Sequence, residues 1–85
     1  MYTVYILYST DYKKSYVGFT SDLASRLVSH NELGHKGWTL KYRPWKLVFT
    51  EQFETKKEAM GREKWYKSGV GREYMKSQIE NWLKV

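Results

Sequence analysis

The sequence predicts an α+β fold: a small antiparallel sheet of three strands with flanking helices, in the order β-β-α-β-α-α. Two β-branched and aromatic runs open the chain, separated by a short polar stretch. The segments that follow change to helical periodicity, return once to strand character, and end in two further helices. The strands are too few and the connections too short for a parallel α/β sheet, so helices covering a small antiparallel sheet are the better solution.

Met1 to Tyr8 (MYTVYILY) and Ser15 to Thr20 (SYVGFT) are the first two strands, and the polar Ser9 to Lys14 (STDYKK) makes them a hairpin. Alternation places Thr3, Tyr5 and Leu7 on one face of the first strand, with Val4, Ile6 and Tyr8 on the other. Tyr16, Gly18 and Thr20 share a face of the second. A glycine inside a strand marks a bulge or the close approach of a backbone or ligand, so Gly18 is a candidate substrate contact. Asp22 to Asn31 (DLASRLVSHN) reads as a helix, with Thr20 or Ser21 as N-cap and Asp22 in the first turn. Leu23, Ala24, Leu27 and Val28 form its apolar arc, and Arg26 and His30, four apart, sit together at the edge of that arc.

Glu32 to Pro44 (ELGHKGWTLKYRP) reads as a long loop, a common location for function in a compact fold. Trp45 to Phe53 (WKLVFTEQF) restores strand character. Thr55 and Glu58 form a T-x-x-E capping box that opens a helix running to about Ser68 and stopping at Gly69. After Gly71 a last helix carries Met75, Ile79, Trp82 and Leu83 as a core-facing stripe.

Eighty-five residues leave room for one core and one site, so residues 1–85 are expected to be a single domain. The chain has no cysteine, which excludes disulfides and thiolate zinc sites and fits a reducing compartment. The packing material is aromatic: 4 Trp, 8 Tyr and 3 Phe. Fifteen Lys and Arg against 9 Asp and Glu give a charge of +6, which favours a polyanionic partner such as nucleic acid. No stretch approaches the ~18–20 apolar residues of a membrane span, so no membrane association and a cytoplasmic location are expected.

Glu63 falls on the helical arc of Ala59, Met60 and Tyr66, where a carboxylate is costly unless it binds a cation or is paired. Metal binding, a salt bridge with a residue such as Arg26, or a helix rotated to half-expose it all remain open readings. Arg26 can grip a phosphate in a planar fork, and His30 titrates near neutrality and can shuttle a proton. Lys36, Lys41, Arg43 and Lys46 form a basic loop suited to substrate binding. No phosphate-binding loop, G-x-S-x-G elbow or His/Cys cluster is present.

The residues then carry a resemblance. Thr3-Val4-Tyr5 and Tyr16-Val17-Gly18 look like the two halves of the GIY-YIG signature. Gly18 to Asn31 (GFTSDLASRLVSHN) is similar to the family's Y-[IV]-G-x-T-x-[DN]-[LV]-x-x-R-[LI]-x-x-H-[NK] pattern, and the later R-P-W-K-L-V-F and E-A-M-G-R-E-K-W-Y-K-S-G-V-G-R-E resemble the small, stand-alone GIY-YIG proteins of bacteria. The resemblance implies a monomeric endonuclease that binds one Mg²⁺ or Mn²⁺ and hydrolyses a phosphodiester in nucleic acid, DNA before RNA, in repair or recombination. It makes Glu63 the metal ligand, Arg26 the stabiliser of transition-state charge and Tyr5 the group that orients or deprotonates water, with Tyr16 and His30 assisting. The first motif is T-V-Y rather than G-I-Y. The family's late-helix asparagine has no counterpart in register, Asn81 being set apart from the apolar stripe. Two other classes stand beside this one: a nucleic-acid-binding module of the same fold without turnover, and an interaction domain using exposed Trp38, Trp45 and Trp65.

Overall fold

The computed structural model describes residues 1–33 and 41–84. Its strands are β1 (Tyr2–Ser9), β2 (Lys14–Thr20) and β3 (Lys46–Phe53), and its helices α1 (Leu23–Val28), α2 (Lys56–Tyr66) and α3 (Gly69–Leu83), with a π-helical turn at Ser29–Leu33. The three strands form one antiparallel sheet in the order β2-β1-β3. This is the α+β arrangement, and the element order, that the sequence predicts.

β1 is central because it is apolar on both faces. Val4, Tyr5, Ile6 and Leu7 are all at most 1% exposed. Val4 and Ile6 pack with Val17 against Ala59 and Tyr66 of α2 and Ile79 of α3. Tyr5 and Leu7 pack with Trp45, Tyr16, Leu23 and Leu27 on the side of α1. The two halves of the alternating pattern thus build two separate cores, one on each face of the sheet. Trp45, expected as an exposed docking aromatic, is buried, and Trp65 is half-buried and packed against the first core.

Several boundaries differ from expectation. Helix α1 stops at Val28, and its N-cap is Asp22, whose carboxylate accepts from the Ser25 amide at 3.2 Å. Thr20 instead accepts from the Asp22 amide at 3.0 Å. Only Leu23 and Leu27 of the apolar arc pack inward, because so short a helix covers a narrow strip; Ala24 and Val28 are exposed. Glu32 and Leu33 belong to the π-helical turn rather than to a loop.

Helix α2 has the expected Thr55/Glu58 capping box. It ends before Gly69, which belongs to α3, because the Ser68 hydroxyl caps α3 by accepting from the Gly71 amide at 3.2 Å. Gly71 lies against the end of α2: a Cβ there would sit 2.6 Å from Tyr66 Cα and closer still to the Trp65 carbonyl. Of the α3 stripe Ile79 is buried, Met75 and Trp82 are half-buried and Leu83 is exposed. Lys36 and Trp38 lie outside the described residues. No helix among the described residues is long and apolar enough to cross a membrane.

Candidate active site

Antiparallel pairing sets Tyr5 opposite Gly18 and Leu7 opposite Tyr16, with no break in register. Gly18 is therefore not a bulge. A methyl group at Gly18 would lie 2.7 Å from Tyr5 Oη, 2.9 Å from its Cζ and 3.1 Å from Tyr16 Cε2. The missing side chain leaves room for the Tyr5 ring to extend across β2 toward Tyr16. The approach that the glycine signalled is thus made by Tyr5.

The Tyr5 hydroxyl lies 2.9 Å from His30 Nε2. The rings of Tyr5, Tyr16 and His30 form a triangle, with centroids 6.2 Å apart for the two tyrosines, 5.8 Å for Tyr5 and His30, and 4.9 Å for Tyr16 and His30. Burial, repulsion from Tyr16 and the Glu63 carboxylate push the Tyr5 pKa well above its ordinary value, outweighing the opposing pull of Arg26. Arg26 alone does not make Tyr5 a ready base. Burial, and next the Arg26 charge, lower the pKa of His30. Near neutrality the bond therefore joins a protonated tyrosine and a neutral imidazole.

His30 is the second residue of the π-helical turn that follows α1, and Arg26, one turn before it, acts electrostatically on it. His30 ends up buried at 7% exposed while Arg26 faces solvent.

The turn is held by its neighbour Asn31. The Asn31 side chain donates to the Trp45 carbonyl at 3.1 Å and accepts from the Trp45 amide at 2.6 Å, much as a strand partner would. Arg43 donates from a terminal guanidinium nitrogen to the Asn31 carbonyl at 3.0 Å. Arg43, expected to bind substrate, is thus half-buried and engaged in holding this turn. Asn31 is a positioning residue that the sequence reading passed over, although it follows His30 directly in the motif.

Arg26 and Glu63 stand on opposite layers, on α1 and α2, and both act electrostatically on Tyr5. The Glu63 side chain is 20% exposed and its ion pair is with Lys67, at 3.5 Å, rather than with Arg26. Met60, taken with Glu63 as inward-facing, is 40% exposed. The inward face of α2 centres on Ala59, Arg62 and Tyr66, leaving Glu63 at the margin. Lys41 is exposed and its Nζ lies 5.5 Å from the centre of the Tyr42 ring.

The Arg62 position explains that rotation of α2. Its guanidinium donates twice to Glu51 of β3, at 3.0 and 3.1 Å, and Tyr66 donates to the same carboxylate at 2.7 Å. The Trp65 ring covers Arg62 at 4.0 Å. This fork and stack fix the helix against the sheet next to Glu63. Nothing in local periodicity singles it out, because Glu51 and Arg62 meet only through the fold.

Among the described residues no group of three or more His, Cys, Asp or Glu side chains gathers to cage a metal ion. A half-buried carboxylate with one long ion pair, such as Glu63, suits a hard cation that keeps most of its waters, as Mg²⁺ and Mn²⁺ do. It does not suit a zinc site, which takes several protein ligands.

A family model described as the GIY-YIG catalytic domain matches residues 1–77. The UPF0213 protein YsiG of Lactococcus lactis subsp. lactis (strain IL1403) is 38% identical over 80 residues, which cover 94% of this chain and 76% of that protein. The UPF0213 protein YazA of Bacillus subtilis (strain 168) is 42% identical over 52 residues, covering 61% of this chain and 52% of YazA, about half its length. The solution NMR structure of the UPF0213 protein BH0048 from Bacillus halodurans matches with a TM-score of 0.53 at 34% identity, covering 91% of this chain and 84% of that one.

Proposed function

The chain belongs to the GIY-YIG family of nucleases, and from that premise we propose that it is a divalent-metal-dependent endonuclease hydrolysing phosphodiester bonds in nucleic acid. The observation that carries the reading is the buried hydrogen bond between the Tyr5 hydroxyl and His30 Nε2, with a cation at Arg26 and an anion at Glu63 acting on the same hydroxyl.

Tyr5 and His30 form a two-member proton relay. As a water attacks phosphorus, Tyr5 Oη takes its proton and passes the phenolic one to His30 Nε2. A free phenolate, which burial makes costly, is never needed. The lowered His30 pKa keeps the ring neutral, and in the tautomer that carries its proton on Nδ1 the Nε2 atom accepts. Tyr16 packs against both rings and fixes their approach. Arg26, exposed on α1, meets the charge that grows on the phosphorane oxygens. Glu63 would hold the Mg²⁺ or Mn²⁺ ion, which when bound supplies Lewis-acid stabilisation at the phosphate and the leaving oxygen. The reading carries with it DNA rather than RNA as substrate, a role in repair or recombination, and a monomer acting in the cytoplasm.

The test is to incubate the purified protein with branched, nicked and single-stranded DNA and with RNA, with Mg²⁺ or Mn²⁺. Metal-dependent cleavage lost in Glu63→Ala supports the reading; no cleavage above that of Glu63→Ala on any substrate overturns it. The Lys67–Glu63 ion pair favours one second reading, a nucleic-acid-binding module without turnover, since Lys67 competes with a metal for the carboxylate. That reading predicts salt-dependent binding indifferent to divalent metal and no cleavage.

A further inference from the structure

Beside the candidate active site runs a groove of about 690 Å³ between the β1–β2 hairpin and the α2–α3 corner. Its floor is apolar, formed by Val17 of β2 and by Met75 and Ile79 of α3, with Tyr8 and Tyr16 along the hairpin side. Its rim carries Lys13, Lys67, Arg72 and Lys76 against the single carboxylate of Glu80. All five rim groups are exposed. Two residues connect the groove to the site: Tyr16, whose ring packs against His30, and Lys67, which pairs with Glu63.

We propose that this groove binds an unpaired, single-stranded segment of the nucleic acid next to the phosphate presented to Tyr5. The inference rests on the proposed function for what happens at that phosphate, and on the groove alone for the binding. An apolar floor with aromatic sides offers a surface to unstacked bases, while cations along a rim track the phosphates; single-strand channels have this division of labour. A blunt duplex has its bases stacked and paired inside and offers only phosphates to the rim. The groove therefore discriminates by strandedness, through the floor.

The experiment is fluorescence anisotropy in EDTA, with labelled oligo-dT, oligo-U and a blunt duplex of the same length. The proteins are the wild-type chain, the rim variant Arg72→Glu/Lys76→Glu, and a control, Lys57→Glu/Lys64→Glu. The control changes net charge equally on the exposed face of α2 that carries Lys56, Met60 and Gly61. All four substituted positions are exposed, so circular dichroism melting is expected to be unchanged.

Single strands should bind more tightly than the duplex, and the rim variant should weaken single-strand binding about tenfold or more, two phosphate contacts at ~0.1 M salt being worth that much. The control should weaken it far less. Equal affinity for duplex and single strand overturns the proposal, as does an equal loss in both variants, which would mean undirected polyelectrolyte attraction. A dimer that separates with Leu83→Lys, combined with no oligonucleotide binding, would assign the groove to a second copy and also overturn it. Preference between oligo-dT and oligo-U identifies the sugar accepted. Binding in EDTA is scored apart from cleavage: groove-dependent binding without cleavage leaves this inference standing and removes the endonuclease reading, and groove-independent cleavage does the reverse.

Discussion

Asn31→Ala is expected to be the most informative single change outside the reacting groups. Its amide makes two hydrogen bonds to the backbone of Trp45, at 2.6 and 3.1 Å, and Trp45 is only 4% exposed. Truncation removes both partners from a region where water reaches poorly. Each buried backbone group left without its partner costs about 1–3 kcal/mol. Half-burial of the Asn31 neighbourhood admits some water, so the loss should total about 2–4 kcal/mol, a large fraction of the ~5–15 kcal/mol that holds a typical domain together. Asn31→Asp keeps an acceptor for the Trp45 amide but sets a carboxylate oxygen against the Trp45 carbonyl, so it should recover no more than about half of that loss. Urea unfolding followed by tryptophan fluorescence measures both, with the m-value expected to stay constant. A loss below about 0.5 kcal/mol for Asn31→Ala would refute the view that this amide holds the π-helical turn in place.

Three other outcomes follow from the same structure. Gly71→Ala should cost at least about 3 kcal/mol, because the new methyl meets backbone of α2 that cannot move aside as a side chain would; an unchanged melting temperature would contradict the close approach of α2 and α3. Stability should fall on acidification below about pH 6.5: His30 has a lowered pKa in the fold, so the unfolded chain binds more protons in that window, and the contribution is fully present only above it. The raised pKa values of Tyr5 and Tyr66 act at the other end, their contribution being complete below pH 10.0 and lost as pH rises beyond it; melting curves across pH check both limbs. Lys13 has a left-handed backbone with φ of 54°, so Lys13→Gly should stabilise the hairpin by up to about 1 kcal/mol while weakening binding at the groove rim; a destabilised Lys13→Gly would refute that strain.

Much of the fold was legible because its signals are local. Strand alternation in β1 gave the two faces, and Thr55 with Glu58 gave the start of α2, since capping is a short-range hydrogen-bond problem. The ends of helices were harder. Gly69 reads as a stop, yet Ser68 competes for the same backbone as an N-cap and makes Gly69 the first residue of α3. The π-helical turn at Ser29–Leu33 left no mark in the periodicity of residues 22–31. Glu63 was placed on an inward arc, and the structure sets it half-exposed at the margin, one of the readings that the sequence left open. Its helix is rotated from the expected face by the Arg62–Glu51 fork, a contact between elements that no window along the chain contains. Tyr5 and Tyr16 were named by motif, while the reason for Gly18 emerged only when the hairpin register set it under the Tyr5 ring.

The relay from Tyr5 to His30 is the centre of the account, and cleavage by Tyr5→Phe tests it most directly. The substitution removes one oxygen and leaves the ring packed over Gly18, so the fold should lose only about 1 kcal/mol. Metal-dependent cleavage of the substrate that the wild-type chain cuts best should fall at least about a hundredfold, the usual scale of a lost proton-transfer group. The exposed Tyr12, changed to Phe in parallel, should cleave as the wild type does. A Tyr5→Phe protein that cleaves within about threefold of wild type, with the same dependence on metal, would show that the proton leaves by another route and contradict the relay.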